Sequence, residues 1–306
     1  MIRPKRLVKG DLIGIVAPAS PVAREDVERS FSFLRQLGLR YVLGKSIYEV
    51  NGYLAGSDEE RLADLHNIFS NPEVKGIFCA GGGYGSARYA DQIDMELIHE
   101  HPKVFWGFSD ITYLHTVIRQ GSGLVTFHGP MLASCVAKDE FHELSGKMFG
   151  QLFEPVEVHY TEEISPLESL SGGIAEGEVV GGNLTQLANS LGSELEIKTN
   201  QKLLFIEDIG EEPYKVDRLL NQLRLAGKLR EAAGIIIGDF AKAQPSNPEK
   251  TLSLDEVFAH YFDGLGKPVV KGFKIGHCEP NIAIPLGVKG RLNAEEKTLT
   301  ILPGVE

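Results

Sequence analysis

The stretch KVFWGFSDITYLHTVIRQG, residues 103–121, contains the pattern that decides the fold class of this chain. Residues 104–108 form a short apolar run of the length expected for a buried strand. Residues 110–121 have the apolar spacing of an amphipathic helix that stops at a glycine. A strand that leads directly into a helix is the repeating unit of a parallel sheet covered by helices, and Ser109 lies at the turn between them.

The same alternation runs through the first half of the chain. Strand patterns are LIGIVAPAS, VKGIFCAGGGYG and GLVTFHGPML, and helical patterns are VAREDVERSFSFLRQLG and SDEERLADLHNIFSNP, the latter with Ser57 as its N-cap. We therefore predict an α/β domain with a parallel sheet over residues 1–140. From 141 to 171 the periodicity weakens and proline, acids and hydroxyls mix, so we interpret this segment as a linker.

Residues 172–306 have a different pattern, which predicts a smaller, β-rich α/β domain. GGIAEGEVVGGNL is typical of strands with tight turns, and KLLFIEDIG and AAGIIIGDF are strand patterns. Helical patterns follow in EPYKVDRLLNQLRLAGKL and LSLDEVFAHYF. GVKGRLNAEEKTLTIL predicts a closing hairpin.

The composition excludes several classes of function. The 306 residues carry a net charge of −11, which argues against nucleic acid as a partner, because phosphate binding needs clustered Lys and Arg. No run approaches the roughly 18 apolar residues of a membrane span. The apolar run at 12–17 suits a strand better than a signal peptide, so we expect a cytoplasmic protein. Three distant cysteines suggest neither disulfides nor a zinc site.

Ser109 has two competing interpretations. Ligands bind at the carboxyl ends of strands in open α/β sheets, and backbone N–H groups at a helix start stabilise an oxyanion. Gly107 precedes the serine as in the GxSxG elbow, but Ile111 occupies the second glycine position. The alternative is that Ser109 is only a helix N-cap.

The glycine loop CAGGGYGSARYAD, residues 79–91, follows a strand pattern. Ser86 and Arg88 break both possible registers of GxGxxG, and no GK[ST] follows, so neither phosphate-binding motif is present. The loop either brings bare backbone N–H groups close to a ligand or is a tight turn.

A carboxylate and a histidine complete the candidate groups. Glu207 ends a strand pattern and could orient a histidine, could ligate Mg²⁺ with Asp208 and Glu211, or could belong to a solvated acidic turn. His277 lies in a loop, with His128 as the rival loop histidine. Cys278 beside it is a weaker candidate nucleophile. Serine, acid, histidine and oxyanion donors are the parts that acyl transfer needs.

The motifs FCAGGGYGSARYADQID, GFSDITYLHTVI, TFHGPML, GGNL, LLFIEDIGEEPYKVDRLLNQL and GHCEPNIAIPLG resemble the LD-carboxypeptidases, over nearly the whole chain. These are serine peptidases of bacterial cell-wall recycling that remove D-alanine from murein tetrapeptides. The resemblance implies a Rossmann-like N-terminal domain, a β-rich C-terminal domain and a homodimer that needs no metal or cofactor.

The resemblance also assigns roles to residues. It implies Ser109 as nucleophile, Glu207 as acid and His277 as base, with backbone N–H groups of Gly82 or Gly83 and of Asp110 as the oxyanion hole. Gly81 stands where the family often has arginine, which puts a substrate contact there in doubt. The resemblance does not indicate which cation binds the substrate's terminal carboxylate, and Arg88 is a candidate only because it lies close to the glycine loop.

Three alternatives remain at this stage. A related hydrolase could cleave another acylated amino acid or a peptide-nucleotide antibiotic, as immunity enzymes of the family do. A non-catalytic binding protein could use the glycine loop for an anion. A metal-dependent hydrolase could be built on the acidic turn.

Overall fold

The computed structural model describes residues 1–306, which divide into two compact units. The first comprises Met1–Val156, Ile282–Gly287 and Pro303–Glu306. The second comprises Glu157–Asn281 and Val288–Leu302. Each unit is built on one sheet, and the chain returns to the first unit twice.

The chain forms fourteen strands and nine α-helices. The strands are β1 Leu12–Val16, β2 Arg40–Leu43, β3 Val74–Cys79, β4 Val104–Gly107, β5 Thr126–His128, β6 Val158–Tyr160, β7 Glu168–Ser171, β8 Ile174–Asn183, β9 Leu203–Ile209, β10 Gly234–Ala241, β11 Val269–Lys271, β12 Ile284–Leu286, β13 Lys289–Asn293 and β14 Thr298–Ile301. The helices are α1 Arg24–Gln36, α2 Asp58–Ser70, α3 Met95–Glu100, α4 Thr112–Ser122, α5 Glu143–Lys147, α6 Leu184–Asn189, α7 Pro213–Leu225, α8 Lys228–Glu231 and α9 Leu254–Phe262.

The sheet of the first unit has the strand order β2-β1-β3-β4-β5-β12. Strands β1 to β5 pair in parallel, and β12 adds to β5 in antiparallel. The prediction of an α/β fold with a parallel N-terminal sheet is therefore confirmed. The strand order reverses between β1 and β3, and ligands of doubly wound sheets bind at such a point, outside the carboxyl ends of the strands.

The sheet of the second unit has the order β6-β14-β13-β8-β9-β10-β11-β7. Strands β8 to β11 are parallel, and the remaining pairs are antiparallel. The predicted closing hairpin is confirmed by the pairing of β13 with β14. Apolar residues of α6, α7 and α9 pack with β8 to β11 in one buried cluster. This unit is a mixed α/β structure rich in strands, as predicted.

The units differ in extent from the predicted domains 1–140 and 172–306 and their linker, 141–171. Helix α5 and the turn after it belong to the first unit, where Phe149 packs against Trp106 with ring centroids 4.3 Å apart. Strands β6 and β7 belong to the second sheet. These elements are three to five residues long, which is too short to show a periodic pattern.

None of the helices is long and apolar enough to cross a membrane.

Candidate active site

Ser109 lies on a sharp turn between β4 and α4, in the first unit. Its φ angle is 63°, in the left-handed region, which costs a non-glycine residue about 1–3 kcal/mol, and strained residues of this kind cluster at active sites. Residues Ser109–Ile111 form a 3₁₀ turn, and α4 continues from it. The N-cap positions fall on Phe108 and Ile111, so the interpretation of Ser109 as the N-cap is wrong.

The glycine loop after β3 contacts this turn. A Cβ atom on Gly82 would lie 3.1 Å from Cβ and 3.3 Å from Oγ of Ser109, which is tighter than most side-chain contacts. Gly83 has a φ of 103°, and a Cβ there would lie 2.4 Å from Ser20 Oγ. The backbone of the loop therefore approaches the serine as closely as only glycine permits.

Two serines fix the position of the loop: Ser20, which follows β1, and Ser86, which follows β3. The sequence analysis did not identify this role for either. Ser20 donates its backbone N–H to Gly82 O at 3.1 Å, and its Oγ accepts from Tyr84 N at 3.1 Å. Ser86 donates its N–H to Asp110 Oδ2 at 2.9 Å and its hydroxyl to Asp110 O at 2.8 Å. The glycine loop and the Ser109 turn are thus hydrogen-bonded to each other through the residue that follows the serine.

The Asp110 side chain is buried at this junction, and burial raises the pKa of its carboxyl group. The hydrogen bonds from Ser86 act in the opposite direction, because they stabilise the carboxylate. His115 supports the same turn from α4 by donating Nε2–H to Gly107 O at 2.8 Å. Burial lowers the pKa of His115 to about 4, so this histidine is neutral at pH 7.

In the second unit, Glu207 and His277 form a hydrogen-bonded pair. Glu207 lies on β9 with a fully buried side chain, and its Oε2 is 2.7 Å from His277 Nδ1. Because a carboxylate accepts here, Nδ1 carries the proton, and Nε2 of the neutral ring is left as a proton acceptor. Gly276 permits the approach, since a Cβ there would lie 2.6 Å from Glu207 Oε2.

The pair determines the protonation of His277. Burial is the largest single effect and lowers the pKa of the imidazole. The charge and hydrogen bond of Glu207, together with the charges of Asp208 and Asp239, outweigh it and raise the pKa above its ordinary value. Asp208, next on β9, is held by Asn183 Nδ2 at 2.9 Å and Thr185 Oγ1 at 2.8 Å. Burial and the neighbouring charge of Glu207 raise the pKa of Asp208 to about 6.

The structure disfavours the other candidate groups. The carboxylates of the acidic turn have separate partners, with Glu211 near Lys215 Nζ at 3.7 Å, and no three His, Cys, Asp or Glu side chains gather as metal ligands. Burial raises the pKa of Cys278, whose thiol donates to Pro280 O at 3.3 Å, so it is not an activated nucleophile. His128 is a buried residue of β5 and lies in no loop.

The structure therefore brings Ser109, Gly82, Gly83 and Asp110 together in one unit, and Glu207 and His277 together in the other. Two family models match the sequence: LD-carboxypeptidase N-terminal domain over residues 13–129, and LD-carboxypeptidase C-terminal domain over residues 176–292.

The chain belongs to the LD-carboxypeptidase family.

Individual relatives agree with the LD-carboxypeptidase assignment. A Bacillus subtilis (strain 168) protein named "Probable murein peptide carboxypeptidase" is 53% identical over 303 residues, which cover 99% of this chain and 95% of that protein. The MccF-like protein of Bacillus anthracis is structurally similar, with a TM-score of 0.88, 27% identity, and coverage of 99% and 100%. The muramoyltetrapeptide carboxypeptidase of Oxalobacter formigenes has a TM-score of 0.84, 26% identity, and coverage of 95% and 97%. The family and the relatives' names support a carboxypeptidase, which is a peptide hydrolase.

Proposed function

We propose that this protein is a serine LD-carboxypeptidase that releases the terminal D-alanine from murein tetrapeptides in cell-wall recycling. The observation that carries the proposal is the Ser109 turn. A serine with φ of 63° follows a strand of the sheet and lies against a glycine loop hydrogen-bonded to its neighbour. A nucleophile with oxyanion donors needs this arrangement. The relatives' names support the choice of substrate.

The proposed mechanism uses Ser109, His277 and Glu207 as a triad. His277 Nε2 takes the hydroxyl proton as Ser109 Oγ attacks the carbonyl carbon before D-alanine. Glu207 holds the tautomer and stabilises the imidazolium. The tetrahedral oxyanion is bound by the N–H groups of Asp110 and of Gly82 or Gly83, each of which is worth about 2.7–4 kcal/mol in such sites.

Collapse of this intermediate completes the first half of the reaction. His277 returns the proton to the leaving amine, D-alanine departs, and the acyl group remains on Ser109 Oγ. Water, deprotonated by His277, then hydrolyses the ester and regenerates the serine. Side chains of the protein carry out each proton transfer. The mechanism requires His277 Nε2 to come within hydrogen-bond distance of Ser109 Oγ.

The cellular setting is proposed from the resemblance. We infer a cytoplasmic homodimer that acts on recycled murein fragments rather than on the intact wall. Light scattering of the purified protein tests the dimer, with a mass of twice 33.5 kDa as the expected result. A monomer at micromolar concentration would contradict it.

A second candidate function is hydrolysis of another acylated amino acid or of a peptide-nucleotide antibiotic. The similarity to the MccF-like protein of Bacillus anthracis favours it, as does Gly81 at the position where the family often has arginine. It uses the same serine chemistry with a different acyl donor.

The test is incubation of the protein with disaccharide tetrapeptide and, separately, with a peptidyl-nucleotide, followed by analysis of the released amino acid. We expect free D-alanine from the tetrapeptide and no cleavage of the peptidyl-nucleotide. Cleavage of the nucleotide conjugate alone supports the second candidate. Cleavage of neither substrate contradicts both and favours a non-catalytic binding protein.

A further inference from the structure

Three exposed side chains lie beside the glycine loop and have no part in the mechanism above. Arg88 and Tyr84 belong to the glycine loop itself, Arg88 in its 3₁₀ turn Ser86–Arg88, and Tyr53 lies in the connection between β2 and α2. We refer to Tyr53, Tyr84 and Arg88 as the Arg88 cluster. A carboxypeptidase needs a cation that recognises the free carboxylate of its substrate, and this cluster is the candidate nearest in sequence to the oxyanion loop.

The topology places the cluster at the catalytic edge of the first sheet. The connections after β2 and β3 both leave the carboxyl ends of parallel strands, as does the Ser109 turn after β4. Ser86, in the same turn as Arg88, is hydrogen-bonded to Asp110, the neighbour of Ser109. The cluster and the nucleophile therefore belong to one hydrogen-bonded group of loops.

The guanidinium of Arg88 is held in a fixed direction. Its Nε lies 2.9 and 3.0 Å from the two oxygens of Asp58, and its Nη2 lies 2.9 Å from Asp58 Oδ2. Asp58 is fixed in turn by Arg61, whose side chain is fully buried and donates to Pro18 O and Gly85 O. Two guanidinium groups share one carboxylate, and Nη1 of Arg88 remains available on a side chain that is 42% exposed.

The two tyrosines add hydroxyl donors beside this group. Tyr53 is 65% exposed and Tyr84 is 51% exposed, and their rings meet edge to face with centroids 5.6 Å apart. Tyr84 precedes Arg88 by four residues in the glycine loop, and Tyr53 packs against Tyr84. Guanidinium N–H and phenol O–H groups are all donors to a carboxylate, and a fixed planar guanidinium binds carboxylates with directional hydrogen bonds.

A side chain at position 81, where the resemblance implies that the family often has arginine, would displace a neighbouring valine. Gly81 is buried, and a Cβ atom on it would lie 2.8 Å from Val22 Cγ1. Arg88 supplies a guanidinium seven residues further along the same loop.

We propose that Arg88, with the hydroxyl groups of Tyr53 and Tyr84, binds the free C-terminal carboxylate of the peptide substrate. This inference rests on the proposed carboxypeptidase function. It gives the Arg88 cluster the role of selecting substrates that end in a carboxylate, while Ser109, His277 and Glu207 perform the chemistry.

The experiment compares two substrates that differ only in this group, the disaccharide tetrapeptide and its C-terminal D-alaninamide. For the native protein we expect kcat/KM to be about 10- to 100-fold higher for the acid, the effect of one hydrogen-bonded charge. In Arg88→Gln, kcat/KM for the acid falls by that factor, mainly through KM, kcat/KM for the amide is unchanged, and the ratio approaches one. Arg88→Lys restores part of the ratio, because the charge is kept without the planar fork.

Arg35→Gln is the matched control, since Arg35 is an exposed arginine at the other end of α1 from the loops of the site. This variant should have the native kcat/KM for both substrates. If Arg88→Gln does not fold, Tyr84→Phe is the second variant. It removes one exposed hydroxyl and should lower kcat/KM for the acid substrate but not for the amide.

The outcomes separate the two proposals. D-alanine release with an unchanged acid-to-amide ratio in Arg88→Gln overturns the carboxylate site alone. An equal loss for acid and amide also overturns it, because it indicates a structural role. No D-alanine release by the native protein overturns the proposed function and this inference with it.

Discussion

At the scale of single residues, Glu207 and His277 are the proposed acid and base of the triad. Glu207 is fully buried, and its carboxylate lies 2.7 Å from His277 Nδ1. The pKa of His277 is raised because this carboxylate, with the charges of Asp208 and Asp239, outweighs the effect of burial on the imidazole. The pair therefore fixes both the tautomer and the pH range of the proposed base.

The pH dependence of activity tests this pair. The base is active when neutral, so kcat/KM should rise with pH through a pKa above 6.5. Glu207→Gln removes the largest contribution that raises the pKa of His277 while burial remains, so the rise in kcat/KM should move to lower pH. We also expect kcat to fall by about 10⁴-fold, as when the acid of a triad becomes an amide.

A pH–rate profile of native protein, Glu207→Gln and Glu212→Gln provides the measurement. Glu212 is bonded to Ser246 rather than to the histidine, so its variant should follow the native profile. A rise at the same pH in Glu207→Gln would show that this carboxylate does not control the base.

At the scale of elements, the glycine loop and the 3₁₀ turn of Ser109 are held together by direct contacts. Gly82 contacts the serine, and Ser86 joins the loop to Asp110 through two hydrogen bonds. The same loop therefore contacts Ser109 and holds the residue that follows it. Changes on either side of this junction should therefore reduce the rate of catalysis.

Gly82→Ala should displace the nucleophile, because the added Cβ would lie 3.3 Å from Ser109 Oγ. A shift of about 1 Å costs on the order of 10²-fold in rate, so we expect kcat to fall by that factor. Gly150→Ala is the control, since nothing lies within 4 Å of a Cβ there. Steady-state rates and thermal unfolding of both variants provide the test. A Gly82→Ala enzyme with the native kcat would contradict the contact's role.

Asp110→Ala should reduce stability as well as rate. It leaves the buried backbone N–H of Ser86 without its acceptor, Asp110 Oδ2, which costs about 1–3 kcal/mol in the free energy of unfolding. Asp110→Asn keeps an oxygen acceptor and should lose less. Denaturant unfolding with parallel kcat measurements checks this, and equal stability of Asp110→Ala and the native protein would refute it.

At the scale of the whole molecule, the proposed nucleophile and base belong to different compact units. If Ser109 and His277 serve one reaction, removing either should cost as much as removing both. We therefore expect Ser109→Ala, His277→Ala and the double variant to have the same residual kcat. Rates that decrease multiplicatively in the double variant would show that the two residues act independently.

The sequence predicted the fold class, because strands β1, β3 and β4 are apolar runs followed by turn residues and helices with clear periodicity. It did not predict β12, a strand of three residues that joins the first sheet by pairing with β5, far away in the chain. The helical and strand segments within 141–171 escaped prediction for the same reason of length. Short elements are specified by their tertiary partners and carry little local signal.

For the candidate site, the sequence identified side chains whose chemistry is visible in their type, such as Ser109, Glu207 and His277. It could not reveal the left-handed backbone of Ser109, which only the surrounding structure imposes. The contacts of Ser20 and Ser86 with the glycine loop also depend on loops that meet only in the fold.

The central claim is that Ser109 is the nucleophile that releases D-alanine. The most direct measurement is D-alanine release from disaccharide tetrapeptide by native protein and by Ser109→Ala at equal concentration. The account predicts release by the native protein and a rate lower by about 10⁶-fold in the variant, near the detection limit. Equal release by Ser109→Ala would contradict it.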